Sequence, residues 1–261
     1  MTPSLAVIIP VYNEARQIVE SVQTLCGVLP DVASQWEIRV VDDGSEDATV
    51  SLVRGAFGTD PRVVVQCEPH TGKGGAVRAG MLATSAALRF MCDADLSMPL
   101  SELPRFLALV PGEADVVIGS REGPEARRVG EPAYRHVMGR AFNLVVRQLA
   151  LPEIQDTQCG FKLFSGAAAE AIFSRTTLDG WAFDLEALVI AQTLGVRVRS
   201  LPIEWHHRSE SRVSPVGDSI RMFRDVLRVR ARAAAGRYRV PIPDAEATGP
   251  GGDRPPADQR P

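Results

Sequence analysis

No segment of the chain approaches the roughly 18 consecutive apolar residues that a membrane-spanning helix needs. The first residues also lack a basic stretch followed by an apolar core and a small-residue cleavage site, so no leader peptide is expected. Cysteine is scarce: Cys26, Cys67, Cys92 and Cys159 lie far apart and form no Cys-x-x-Cys pair. Three of them sit in or beside apolar runs, which predicts buried free thiols in a reducing, cytoplasmic compartment. Lysine is nearly absent, since only Lys73 and Lys162 among 29 basic residues are not arginine. Aromatics make up only 6% of the chain and no nucleic-acid-binding motif is present, which excludes a nucleic-acid module as the leading reading. No internal repeat is found.

What remains is ample chain for a core: 261 residues, 45% apolar and 23% charged, the balance of an ordinary globular protein. The net charge of −3 conceals an asymmetry. Residues 1–120 carry 8 Lys+Arg against 15 Asp+Glu, whereas residues 121–239 carry 19 against 13. Part of this is arginine spread over solvated faces. A basic second half also suits phosphates or a membrane surface. Residues 240–261 are dominated by Pro, Gly, Ala and Asp and are expected to form a disordered tail.

Short apolar runs alternate with helical stretches through the first half. Strands are expected near 5–10, 36–41, 62–67, 88–92 and 114–118, with helices over 46–56, 73–86 and 101–109. Asn13 reads as the N-cap of a helix running to about Leu29. The continuous apolar run Leu5-Ala-Val-Ile-Ile-Pro10 suits a strand covered on both faces. The alternation implies an α/β fold with a mostly parallel sheet, whose ligands bind beyond the carboxyl ends of the strands. In the second half, helices are expected over 132–149, 183–194 and 217–235, and a strand over 196–205.

Those strand ends are polar. Asp93-Ala94-Asp95 follows the run Leu88-Arg-Phe-Met-Cys92, and two carboxylates there share one crevice if the backbone turns. Hard oxygen ligands of this kind suit Mg²⁺ or Mn²⁺ shared with substrate phosphates. Asp42-Asp43-Gly44-Ser45 ends the second strand. A tight turn explains Gly44. Two adjacent buried acids also require donors, which a base or ribose could supply. His70-Thr-Gly-Lys73-Gly-Gly75 fails the Walker pattern, having Cys67 where its first glycine should stand and Gly74 after the lysine. Its helix entry still offers backbone N–H groups to an anion, with Lys73 in reach of a phosphate.

Taken in order, Pro10-Val-Tyr-Asn-Glu14, Val41-Asp-Asp-Gly-Ser45, Gly72-Lys-Gly, Asp93-Ala-Asp-Leu-Ser97 and Val117-Ile-Gly-Ser-Arg121 resemble the family 2 inverting glycosyltransferases of the GT-A fold. Arg135, the stretch Asp156-Thr-Gln-Cys-Gly-Phe-Lys162 and Trp181-Ala-Phe-Asp-Leu-Glu186 are similar to the dolichyl- and polyprenyl-phosphate sugar synthases, with wording nearer the glucose-transferring members. The resemblance covers roughly 5–230. It implies a single GT-A, Rossmann-like domain over 1–239, with a nucleotide-sugar half (1–121) and an acceptor half (122–239).

The resemblance also implies roles. Pro10, Tyr12, Glu14, Asp42, Asp43, Lys73 and Ala94 would surround the nucleotide sugar. Asp93 and Asp95 would bind the metal and diphosphate. Arg121 and Arg135 would hold the acceptor phosphate, and Asp184 would face the sugar. Two departures stand out. The Ser-Lys pair of many members reads Glu210-Ser211-Arg212 here, so Arg212 takes the phosphate contact with altered geometry. Position 97 is Ser, where some relatives carry Gln.

The reaction implied is transfer of a hexose, from UDP-glucose first and GDP-mannose second, to a polyprenyl phosphate. Such an acceptor demands membrane access, at the cytoplasmic face or through a membrane-protein partner. Val137, Met138, Ala141, Leu144, Val145 and Gln148 form one helical stripe, bordered by Arg135, Arg140 and Arg147. Ile220, Phe223, Val226, Leu227 and Ala231 form another, among Arg221, Arg224, Arg228, Arg230 and Arg232. Either lies on an anionic leaflet or packs on the sheet. Two rivals remain: a family 2 transferase acting on a hydroxyl, with Asp156 or Asp184 as general base, and a non-catalytic nucleotide-sugar sensor. Oligomeric state is not legible.

Overall fold

The computed structural model describes residues 4–130, 148, 150–207 and 217–239. The expected helix over 132–149 with Arg135, the site residue Arg212 and the expected tail over 240–261 lie outside the described residues.

Strands β1 (Leu5–Val11), β2 (Trp36–Asp42), β3 (Val63–Cys67) and β4 (Leu88–Met91) pair in parallel in the order β3-β2-β1-β4. Helices α1 (Ile18–Val32), α2 (Thr49–Phe57) and α3 (Lys73–Leu82) connect them. All seven residues of β1 are buried, as its unbroken apolar run requires. Alternation then divides it between two cores. Leu5, Val7 and Ile9 pack with Ile18, Val22, Leu25 and Leu29 of α1, while Ala6 and Ile8 pack with Ala76, Val77 and Met81 of α3. Each fully buried aliphatic side chain contributes about 1.5–3 kcal/mol to holding these layers together.

A 3₁₀ turn (Leu100–Glu102) and the short α4 (Leu103–Leu107) lead to β5 (Val116–Ser120). The strand β7 (Lys162–Ser165) inserts between β4 and β5, antiparallel to both. Its direction places the loop before it beside the carboxyl ends of β4 and β5, with Lys162 opposite Met91 and Ile118. Helices α5 (Gly166–Phe173) and α6 (Phe183–Thr193) cover one face, β8 (Val198–Pro202) extends the sheet parallel to β5, and α7 (Gly217–Ala234) packs on α6. A parallel pair of β6 (Arg127–Val129) and β9 (Glu204–His206) stands beyond the main sheet.

The mostly parallel α/β sheet is as expected. Several elements differ. Asn13 is no N-cap: its backbone is left-handed (φ 54°), and its Oδ1 accepts the N–H groups of Glu46 and Asp47 at 2.8 and 3.2 Å. That bond satisfies backbone in a different loop, and the helix starts later, at Ile18. The expected strand over 196–205 breaks at Ile203, whose N–H donates to Ser120 and whose carbonyl accepts from Arg127. There the chain passes from one sheet to the other. Helix α5 was not foreseen, although Ser165 caps it by accepting from Ala168 N–H at 3.2 Å. All four cysteines are free. Cys92 and Cys159 are buried, Cys26 is half-buried, and Cys67, at the end of β3, is exposed.

On α7 the expected apolar stripe is not the buried face. Of its described side chains only Val226 is buried, beside Met222 and Val229, which the expectation left out, while Ala231 is exposed and Phe223 and Leu227 point outward at 46% and 44% exposure. Among the described residues no helix is long and apolar enough to cross a membrane.

Candidate active site

The carboxyl ends of β1, β2, β4 and β5 open on a cavity of about 800 Å³. Pro10, Tyr12, Glu14, Asp43, Lys73, Asp93, Ala94, Asp95, Arg121 and Asp184 all line it. The carboxylates of Asp93 and Asp95 face it because the backbone turns sharply after β4. Leu96 takes a left-handed φ of 44°, its N–H donates to Asp93 O, and Ser97 N–H donates to Asp95 Oδ1 at 2.9 Å. Gly160, in the loop before β7, lies flat against Asp93: a Cβ there would come 2.1 Å from its Oδ2. Lys73 Nζ sits 2.6 Å from Asp93 Oδ1. Burial pulls the Lys73 ammonium down, but Asp93, Asp184 and Asp95 outweigh it and hold the group above the ordinary lysine value.

This donor set fits a hard divalent cation. Asp93 and Asp95 both line the cavity, and no cluster of three acids, histidines or cysteines suited to a metal occurs among the described residues. Remaining ligands would come from phosphate oxygens and water, the usual state of Mg²⁺ in phosphate sites.

The glycine-rich entry to α3 has another use than the one expected of it. Thr71 and Gly72 N–H donate to Asp43 Oδ1 at 2.8 and 3.1 Å, and Gly74 N–H donates to Asp179 O at 2.7 Å, with Gly75 at 3.3 Å. These four groups are therefore not offered to an anion. The glycines permit close docking: a Cβ on Gly74 would lie 2.5 Å from Leu178 O, and Gly72 has φ 121°. The two acids after β2 likewise find donors within the chain. Asp42 accepts from Ser45 N–H at 3.1 Å and does not line the cavity, while Asp43 binds the 70–72 loop and does. The His70 ring, whose Nδ1 lies 2.9 Å from Asp43 Oδ2, stacks on Tyr12 at 4.3 Å between centroids. Asn13 and Glu14 N–H donate to Ser45 and Thr49 hydroxyls, which fixes the exit of β1 over that of β2.

Arg121 forms a two-pronged pair with Asp156, Nε to Oδ2 at 2.7 Å and Nη2 to Oδ1 at 2.9 Å, and its own N–H also donates to Oδ2. Asp156 is fully buried. Burial pushes its carboxyl up, but the Arg121 guanidinium overrides this and holds it down to about 2. The guanidinium lies 5.6 Å from the centre of the Trp205 ring. Asp184 accepts from the buried Lys162 Nζ, which also donates to Cys159 O at 2.6 Å. Burial raises the Asp184 carboxyl, with Lys162 and Lys73 opposing.

Trp181, Trp205, His207, Arg221 and Met222 line the same cavity without having been singled out as site residues. Trp205 ends the strand expected over 196–205 and His207 lies just beyond it, so the strand-end rule that points to Asp93 also points to them. Arg221 carried no such signal, because a helix, not a strand end, brings it there.

Residues 6–173 match the model of the family described as Glycosyl transferase family 2. A dolichyl-phosphate beta-glucosyltransferase of Dictyostelium discoideum is 30% identical over 250 residues, covering 90% of this chain and 76% of its own. The Homo sapiens enzyme of that name is 30% identical over 254 residues, covering 92% and 78%. Among solved structures, glucosyl-3-phosphoglycerate synthase of Mycobacterium tuberculosis, in complex with Mn²⁺, UDP-glucose and phosphoglyceric acid, superposes with a TM-score of 0.64 at 18% identity. That match covers 93% of this chain and 81% of the other, and shows a shared fold. With the matched segment running from β1 through α5, the chain belongs to glycosyl transferase family 2.

Proposed function

We propose that this chain transfers glucose from UDP-glucose to a polyprenyl phosphate of the dolichyl type, with inversion. The observation that carries the acceptor is the state of two acids. A hydroxyl acceptor needs a general base. Of the two candidates, Asp156 is fully buried beneath Arg121 and Asp184 is ion-paired with Lys162. A phosphate acceptor is already an anion and needs no base, only a cation to receive it. Arg121, held rigid by Asp156 at the cavity wall, is suited to that task. The names of the two dolichyl-phosphate beta-glucosyltransferase relatives support glucose as the sugar and dolichyl phosphate as the acceptor.

In this reading an oxygen of the lipid phosphate attacks the anomeric carbon. The bond from that carbon to the diphosphate breaks with its electron pair leaving on UDP, and no proton moves. Asp93 and Asp95 would hold Mg²⁺ or Mn²⁺, which when bound neutralises the departing diphosphate. Pro10, Tyr12, Glu14 and Asp43 would surround the nucleoside, with Asp42 buttressing the loop beneath. Lys73 would offset charge beside Asp93, while Arg135 and Arg212 would add to the acceptor end. The exposed Phe223 and Leu227, set among Arg224 and Arg228, would rest on an anionic cytoplasmic leaflet.

A donor screen tests this. Purified protein with Mg²⁺ or Mn²⁺ and citronellyl phosphate is expected to form lipid-linked sugar from UDP-glucose and little from GDP-mannose. Preference for GDP-mannose would overturn the donor; transfer to a free sugar but not to the lipid phosphate would overturn the acceptor.

A further inference from the structure

Two residues after Asp184, Glu186 is fully buried on α6 and accepts four hydrogen bonds. Its Oε2 receives Thr177 and Leu178 N–H, both at 2.7 Å, and its Oε1 receives the Thr177 and Tyr238 hydroxyls, both at 2.8 Å. All four donors are neutral. No cation pairs with it among the described residues, the Arg232 guanidinium lying instead over the Tyr238 ring at 5.6 Å; a buried carboxylate held this way is costly, and a packed apolar side chain would serve stability as well. What distinguishes Glu186 is what it joins. One arm holds 177–178, and the next carbonyl, Asp179 O, accepts Gly74 and Gly75 N–H at the start of α3, where Lys73 meets Asp93. Gly180 and Trp181 then enter the cavity wall. The other arm holds Tyr238, buried just beyond α7, whose opposite end brings Arg221 and Met222 into the same cavity. An 18-residue helix spans about 27 Å, so a pin at its far end fixes how that basic end is presented.

We propose that Glu186 and Tyr238 are positioning residues for transfer: Glu186 sets both the Lys73 end and the α7 end of the cavity, and Tyr238 sets the α7 end alone. Assigning the α7 end to the acceptor rests on the function proposed above.

Kinetics of Tyr238→Phe and Glu186→Gln with UDP-glucose and citronellyl phosphate test this. Tyr238→Phe, which keeps the ring and loses one donor to a charged group, is expected to raise the acceptor KM about tenfold while leaving the UDP-glucose KM unchanged. Glu186→Gln is expected to raise both. A Tyr238→Phe enzyme with wild-type KM values, or with both raised equally, overturns the proposal, as does a lowered Tm with KM values intact, which a merely structural bond would give. If Glu186→Gln does not fold, Tyr238→Phe decides alone. Hydrogen exchange reads the latch without turnover: Tyr238→Phe should speed exchange across 221–234 and leave 73–82 protected, and no such contrast overturns it. Failure of the wild-type chain to use the lipid phosphate would count against the proposed function, and the exchange contrast would then judge the latch.

Discussion

Replacing Asp156 by Asn keeps the shape of the loop before β7 and removes the charge under Arg121. Holding the carboxyl at about 2 instead of 3.8 corresponds to about 2 kcal/mol of stabilisation. The amide adds a second loss. Its two ends cannot both accept from Arg121, so one of Nε and Nη2 meets an NH₂ group however the amide turns. Breaking a buried pair costs about 3–5 kcal/mol, and Arg121, with its side chain 20% exposed at the cavity edge, places this case at the lower end. Urea unfolding at pH 7 should therefore show a loss of about 3 kcal/mol. The sign of the pH dependence follows from a depressed carboxyl. The stabilisation is complete above the unfolded value near 3.8 and is lost as pH falls toward 2, so wild type and variant converge over that range. The acceptor KM should rise as Arg121 loses its orientation. A difference below about 0.5 kcal/mol, the range of an ordinary surface change, would refute the argument that this pair is built and rigid.

Gly74→Ala should cost about 1–3 kcal/mol by overpacking against Leu178 O and Phe183, while Gly27→Ala in α1, where a Cβ meets nothing within 4 Å, should be neutral or stabilising by denaturant titration. Lys162→Met leaves Asp184 buried without its cation and should lose about 3–5 kcal/mol in the same assay. Exchanging Phe223 and Leu227 for Asp should abolish flotation with anionic vesicles and leave the unfolding midpoint unchanged, because both side chains already face outward.

The parallel strands were legible because burial on both faces leaves a continuous apolar signature, and β1 is the plainest case. Their polar ends were legible for the same reason: Asp93 and Asp95 stand out where such a run stops. The donors that satisfy Asp43 were not. Asp43 is bound by backbone 28 and 29 residues away, a pairing that no local pattern encodes. The glycines at the start of α3 looked available to a phosphate because sequence shows their permissiveness but not the 178–180 segment that occupies the space. Asp156 read as a possible base until its burial under Arg121 appeared, and the division of the α7 stripe depended on which turn of the helix meets α6.

In the proposed function Asp93 and Asp95 hold the donor diphosphate through a divalent cation. Calorimetric titration of UDP into wild type and Asp93→Asn, with Mn²⁺ and with chelator, tests it most directly. Mn²⁺ should tighten UDP binding to wild type at least tenfold and have no effect on the variant. Equal binding by both proteins, with or without the cation, would contradict it.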